Sequence, residues 1–537
     1  VGHFKDHPAV IGYQIENETF PNGVATPYTT AAFLERLKRK YETPDTINRI
    51  WGLVYWGQLI ATWDDLPPRN GILNPGYKLE WENFQHDIVT EYLAWQAKIV
   101  REYKRPDQFI THDFSGGVHT NLDQWAIARS LDVVAENPYF ETQDRLNARG
   151  IWLTGDLGRS LKHSNYLVTE TNAQTIGWDS RTQYPPYPGQ LRLVVYAHTA
   201  AGANMVEYWH WSSLHYGQET YWKGVLSHDL EPNRTYAEVS RVAGELKKIG
   251  PQLVNLKKEN RVAILVSADS ANALSYMPVS DRAGYMTVLN QMYGALYELN
   301  VEPDFIPAGD PALSRYKVLL VPPLYSASDA VLEAIANYVK SGGHVVMAFK
   351  SGFTNEHSTV RDVMAPGPLR AAAGFHYQEF TNLAEPVRLT PDPYRLGAEN
   401  KGSIWEEFLI PDTAEALASF DDPYWHFPAI TRNRHGSGAL TYEGTVVTDA
   451  LQREIVRDVL QRAGLTGPDQ QLPPSVKVRH GRNGRGKLLH YYLNFSGQDQ
   501  SFPYPYAPGS DLLTGRPVRG GQAVTLRPWD LAIVAEQ

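Results

Sequence analysis

The chain has 537 residues, a net charge of −9, 42% hydrophobic and 20% charged residues, and no cysteine. These values describe a globular protein of two to four domains and exclude disulfides, a thiol nucleophile and cysteine-bound zinc. The acidic balance, without a basic tract, argues against nucleic acid or an anionic membrane surface, and no run approaches ~18 apolar residues.

The strand candidates of residues 1–250 are Val10–Ile15, Phe109–His112, Asp132–Ala135, Tyr166–Thr169 and Asn204–Tyr208, interleaved with helical patterns in the manner of βα units. Phe33, Leu34, Leu37 and Tyr41 follow a Thr30 cap with helical spacing, and Ile88, Tyr92, Trp95, Ile99 and Tyr103 predict one face of a second helix. Residues 260–465 form a second α/β unit. Its buried parallel strands are Val262–Val266 and Lys317–Val321, and a helix starting near Ser328 stops at Gly342-Gly343 before a strand His344–Phe349. Residues 463–475 read as a linker. Short strands over Leu488–Phe495, Ala523–Leu526 and Leu531–Val534 then predict a small antiparallel β domain.

Two glutamates each end an apolar run of the first unit. Ala9–Ile15 leads into Glu16-Asn17-Glu18, and Tyr166–Thr169 leads into Glu170. A carboxyl at the C-terminal end of a buried parallel strand is where a (β/α)₈ barrel keeps its chemistry. A pair of them suits glycosidic hydrolysis, one giving a proton and the other attacking or activating water. The high aromatic share, with 14 Trp and 31 Tyr, favours a site with ring faces for sugar C–H groups. Each glutamate taken alone reads equally as a solvated loop residue; their shared placement, three βα steps apart, makes the case.

His7-Pro8-Ala9-Val10-Ile11-Gly12-Tyr13-Gln14-Ile15-Glu16-Asn17-Glu18 resembles the acid/base segment of family 42 glycoside hydrolases, the bacterial β-galactosidases. Asn48-Arg49-Ile50-Trp51, followed by Tyr55-Trp56, is similar to that family's Asn-x-x-Trp and aromatic-Trp pair. Gly217–Asp229, with Pro232-Asn233-Arg234 and Tyr236–Val239, is similar to its segment after the eighth strand. The resemblance covers nearly the whole chain. It implies a TIM-barrel catalytic domain over 1–255, an amidotransferase-like trimerisation domain over 256–465 and a C-terminal β domain over 470–537. The family has three strands before its Asn-Glu strand, so the expected barrel strands here are the fourth to the eighth. An arginine that the family places on the sugar in that front portion has no counterpart in this sequence.

The resemblance assigns Glu18 as general acid/base with a raised pKa, and Glu170 as an ionised nucleophile roughly 5–5.5 Å away. Asn17 is expected on the sugar 2-OH, Tyr139 as a donor keeping Glu170 ionised, Trp178 as a wall of the galactose site, and Glu219 on a sugar hydroxyl. Trp222 stands where the family commonly has histidine, which replaces a donor by an apolar face. The implied activity is a retaining β-galactosidase, a homotrimer with no cofactor and no metal, in the cytoplasm. Alternatives are another retaining glycosidase such as an α-L-arabinopyranosidase, or an inactive carbohydrate-binding protein. The second domain lacks the thiol that amidotransferase chemistry needs.

Overall fold

A computed structural model describes residues 1–67 and 73–537. The first region is built on five parallel strands: β1 (Gly12–Asn17), β2 (Phe109–Phe114), β3 (Ala135–Glu136), β4 (Tyr166–Val168) and β5 (Ala203–Val206). They lie side by side in chain order, with Asn17 opposite Asp113, Asp113 opposite Ala135, and Glu136 opposite Val168. All five therefore present their C-terminal ends at one rim. The third strand is shorter and later than its apolar run suggests, because Asp132 turns back to cap the neighbouring strand, accepting the Ile110 N–H at 2.9 Å.

The helices of this region are α1 (Pro27–Tyr41), α2 (Pro44–Ile50), α3 (Pro75–Tyr103), α4 (Gln124–Ala128), α5 (Arg149–Ser160), α6 (Gln190–Ala201) and α7 (Arg234–Ile249). Helix α1 starts four residues earlier than the Thr30 cap predicts. Thr26 caps it, exchanging hydrogen bonds with Thr29 around a proline at the first helical position, where a missing N–H costs nothing.

The phase of α3 also differs from expectation. Val89, Leu93 and Ala97 face the core with Ile15, Ile110 and Phe114, while Tyr92, Trp95, Ile99 and Tyr103 are exposed, Trp95 by 59%. Both stripes have helical spacing. Aliphatic Val89, Leu93 and Ala97 let the helix approach the sheet, whereas the large rings of the other stripe lie outside, with Tyr92 and Gln96 donating to Glu16.

Residues 262–348 hold β6 (Val262–Val266), α8 (Ala268–Tyr276), α9 (Tyr285–Glu298), β7 (Pro303–Pro307), β8 (Val318–Val321), α10 (Asp329–Lys340) and β9 (His344–Ala348). The parallel order is β7-β6-β8-β9, and Ser328 caps α10 as expected. The sheet does not stop there. Gly438–Glu443 pairs parallel with β9, and mostly antiparallel strands between residues 380 and 447 bring the total to eleven. This extension escapes the sequence reading because strands such as Glu415–Phe420 are short and largely half-exposed, without a sustained apolar run. The last region is an antiparallel sheet over Val476–Arg482, Leu488–Asn494, Leu531–Glu536, Gly509–Asp511 and Pro517–Val518.

A buried ionic cluster joins all three regions. Arg479 of the C-terminal sheet binds Asp156 of α5 at 2.9 Å and Glu302 before β7 at 3.0 Å, with its guanidinium 4.3 Å from the Trp152 ring centre. Lys258 meets Glu302 at 2.9 Å, and Arg159 meets Asp304 at 2.9 Å. Burial pushes Glu302 up, but Lys258, Arg479 and Arg159 outweigh it and hold the carboxyl at about 2.

Candidate active site

The rim of the five-stranded sheet gathers polar side chains from consecutive strand ends. Asn17 ends β1 and Glu18 follows it, Asp113 lies in β2, Asn137 and Tyr139 follow β3, and Thr169 and Glu170 follow β4. Glu18 adopts a positive φ of 45°, a conformation costly for a side chain with a Cβ and held here by its surroundings. Its main-chain N–H reaches Asp113 Oδ1 at 3.3 Å.

The two glutamates belong to one hydrogen-bonded network. Asn137 Nδ2 donates to Glu18 Oε1 at 2.9 Å and to Asp113 Oδ2 at 2.8 Å. The Asn17 amide orientation that satisfies its neighbours places the nitrogen 2.8 Å from Asp113 Oδ2 and 3.3 Å from Glu170 Oε1. Thr169 Oγ1 donates to Asn137 Oδ1 at 2.9 Å and fixes which way that amide points. On the far side, the Tyr139 hydroxyl donates to Glu170 Oε2 at 2.7 Å.

The electrostatics follow from these neighbours. Burial raises the Glu170 carboxyl; the Tyr139 hydrogen bond pulls it back, and Glu18, Asp113 and Glu219 push it up again, leaving it at about 7. Glu18 is also raised, by burial first, with Asn137 opposing and Asp113 adding to the shift. Burial and the bond to Glu170 drive the Tyr139 hydroxyl upward, so it stays protonated and able to donate. Both carboxyls are thus shifted toward their protonated forms, since the groups acting on them are other carboxyls and neutral donors.

An aromatic wall flanks the pair. Trp222 meets the Tyr139 ring edge to face, with centroids 4.9 Å apart, and packs on Trp178 at 5.3 Å. Trp178 is 62% exposed, which suits the outer lip of a pocket better than its floor. Glu219 is half-buried and accepts the Trp209 indole N–H at 3.0 Å, an anchored carboxylate in place of a surface ion pair. Every residue expected at the site thus lies in this network or beside it.

Sequence reasoning assigned no role to Asp113, Asn137 or Trp209. The rule that found Glu18 and Glu170, a carboxyl ending an apolar strand, applies equally to Asp113 in Phe109–Phe114 and to Glu136 in β3. The structure separates them: Asp113 joins the network, while Glu136 is fully buried against α5, where a Cβ on Gly158 would sit 2.9 Å from its Cγ. Among the described residues, no group of three or more histidine, aspartate or glutamate side chains is placed to hold a metal ion. Among the same residues, no helix is long and apolar enough to cross a membrane.

Comparison with known proteins places this site in a family. Residues 1–249 match the family described as Beta-galactosidase of glycoside hydrolase family 42; residues 260–466 match its Beta-galactosidase trimerisation domain, and residues 475–536 its Beta-galactosidase C-terminal domain. The chain is 28% identical to β-galactosidase BgaA of Clostridium cellulovorans over 99% of its own length and 80% of that protein. It is 28% identical to BgaH of Haloferax lucentense, covering 94% of this chain and 77% of the other. In structure it is similar to a β-galactosidase from Bacillus circulans sp. alkalophilus, with a TM-score of 0.91 at 23% identity over 100% of this chain and 80% of that one. The polyextremophilic β-galactosidase of Halorubrum lacusprofundi aligns with a TM-score of 0.86 at 25% identity, over 99% and 80%. With all three family regions present in order along nearly its whole length, the chain belongs to glycoside hydrolase family 42 and is an enzyme of the β-galactosidase type.

Proposed function

We propose that the protein is a retaining β-galactosidase that cleaves terminal β-D-galactosides by double displacement, with Glu170 as nucleophile and Glu18 as acid/base. The observation that carries the reading is the asymmetric dressing of the two carboxyls. Glu170 alone receives a tyrosine hydroxyl, and such a donor favours the ionised form that attacks the anomeric carbon. Glu18 receives the Asn137 amide and is half-buried, which raises its pKa as a proton donor to the leaving oxygen requires. Once Glu170 is consumed as an ester, its charge no longer opposes ionisation of Glu18. The same carboxyl then takes a proton from the incoming water.

Asn17 is positioned beside Glu170 to meet the sugar 2-OH, and Trp178, Trp222 and Tyr139 form the wall for the sugar's apolar face. Glu219 is the candidate ligand for a galactose hydroxyl. We read the five strands as the fourth to the eighth of a (β/α)₈ barrel. The parallel pairing of the strands in chain order supports this. Domain limits of 1–255, 256–465 and 470–537 and a homotrimer through the middle domain follow the same reading.

Replacing Glu170 by glycine tests the assignment. Hydrolysis of a nitrophenyl β-galactoside should fall by ~10⁴-fold, and added azide should restore turnover and give the α-galactosyl azide. A β-configured azide product, or rescue of Glu18→Gly with an α-azide product instead, would reverse the two roles. The second reading, an α-L-arabinopyranosidase, draws on Trp222. Its half-buried indole presents an apolar ring face to the pocket, which suits a sugar lacking the exocyclic CH₂OH. A panel of nitrophenyl glycosides decides between the sugars.

A further inference from the structure

Asp113 is fully buried in β2, opposite Asn17 of β1 and Ala135 of β3, and it touches both halves of the catalytic network. Its Oδ2 accepts the Asn17 amide and the Asn137 amide, each at 2.8 Å, and its Oδ1 accepts the Glu18 main-chain N–H at 3.3 Å. An amide nitrogen carries two hydrogens. Asn17 gives one to Asp113 and the other to Glu170, at 3.3 Å; Asn137 gives one to Asp113 and the other to Glu18, at 2.9 Å.

We propose that Asp113 is a positioning residue for the glycosidase reaction, a buried carboxylate that aims the Asn17 amide at Glu170 and the Asn137 amide at Glu18. The proposal rests on the assignment of the two glutamates above. All three of its own contacts are donors, which suits a carboxylate. One atom of one side chain therefore sets the direction of a donor on each reacting carboxyl. Without it, the Asn17 amide loses the acceptor that orients it, and the Asn137 amide is held by Thr169 alone on its oxygen side.

The charge of Asp113 has a second consequence. The groups facing it are His112 on its own strand, with Nδ1 3.9 Å from Oδ1, Glu18 from β1, Glu136 from β3, and Glu170 with Tyr139 across the rim. Burial lowers the His112 pKa against the pull of Asp113, so the histidine is a poor counter-charge, and burial raises Glu136 well above its ordinary value. That charge disfavours ionisation of both Glu18 and Glu170. Asp113 thereby places the working pH of the pair higher than the two glutamates alone would have it.

Two substitutions separate the roles. Asp113→Asn keeps an oxygen acceptor for both amides and removes the charge. Both limbs of kcat/KM against pH should move to lower pH, by roughly half a unit to one unit, with kcat at the optimum within ~10-fold of the parent. Asp113→Ala removes the acceptor, and kcat should fall by ~100-fold while KM changes less than ~3-fold. Limbs that stay in place in Asp113→Asn, or a kcat retained in Asp113→Ala, overturn the proposal.

Calorimetric binding of a galactose-configured iminosugar across pH gives the same reading without turnover. The Asp113→Asn binding optimum should shift downward, and an unmoved optimum overturns the inference even where a variant is inactive. Azide rescue of Glu170→Gly, run in parallel, tells the two failures apart. Rescue with unmoved limbs removes Asp113 alone, whereas absent rescue removes the glutamate assignment and this inference with it.

Discussion

Glu170 shows how a single side chain's neighbours set its working range. Its hydroxyl partner, Tyr139, favours the ionised form against burial and three carboxyls, beside the longer contact from the Asn17 amide. Removing that donor by Tyr139→Phe raises the Glu170 pKa above its present value of about 7, so at any given pH less of Glu170 is ionised. The limb of kcat/KM that reports Glu170 should therefore move to higher pH by up to ~1 unit, with kcat reduced ~10-fold or more. A pH–rate profile of the variant checks this. A profile that moves to lower pH would show that Tyr139 acts on another group. Glu18 and Glu170 were legible in the sequence because each ends an apolar run. Asp113 carries the same signature, and only its contacts distinguish it from Glu136, which has the signature too and faces a helix.

At the scale of elements, α3 tests how far periodicity can be trusted. Its two apolar stripes, Val89-Leu93-Ala97 and Tyr92-Trp95-Ile99-Tyr103, satisfy the helical repeat equally well. Periodicity identified the helix and could not choose its inner face, because that choice belongs to the sheet it packs on. Leu93→Ala should cost about 2–5 kcal/mol, since it empties a fully buried site. Trp95→Ser should stay within about 0.5 kcal/mol, since the ring is 59% exposed. Denaturant unfolding of both variants measures the difference, and equal losses would place Trp95 in the core. The antiparallel strands after residue 380 show the converse limit. They pair mostly with neighbouring strands of the same segment, as Pro428–His435 does with Gly438–Glu443, but strands such as Glu415–Phe420 are short and partly exposed, so no sustained apolar run announces them.

The whole molecule is held as one body by groups far apart in the chain. Arg479, Asp156, Glu302, Lys258, Arg159 and Asp304 come from all three regions and meet out of water. Buried pairs of this kind do little for stability compared with apolar packing, but removing one partner strands the others without a counter-charge. Arg479→Met should therefore cost about 3–5 kcal/mol, leaving Asp156 and Glu302 short of a cation. Thermal unfolding should show a lowered midpoint, and proteolysis should release the C-terminal β region first. An unchanged midpoint would mean that the apolar seam alone holds the regions together.

The family, the succession of an α/β region, a second α/β region and a β region, and the candidate pair of glutamates with their aromatic neighbours could all be read from the sequence alone. Those properties are written in short contiguous runs: apolar strands, caps, and motifs whose residues are adjacent in the chain. Tertiary structure decided the rest. It chose the inner face of α3, extended the middle sheet to eleven strands, brought Asp113 and Asn137 between the glutamates, and raised both carboxyls together. Each of these depends on which residues become neighbours across strands up to ~150 positions apart. Burial and through-space charge act over ångströms, and a linear sequence does not carry that distance.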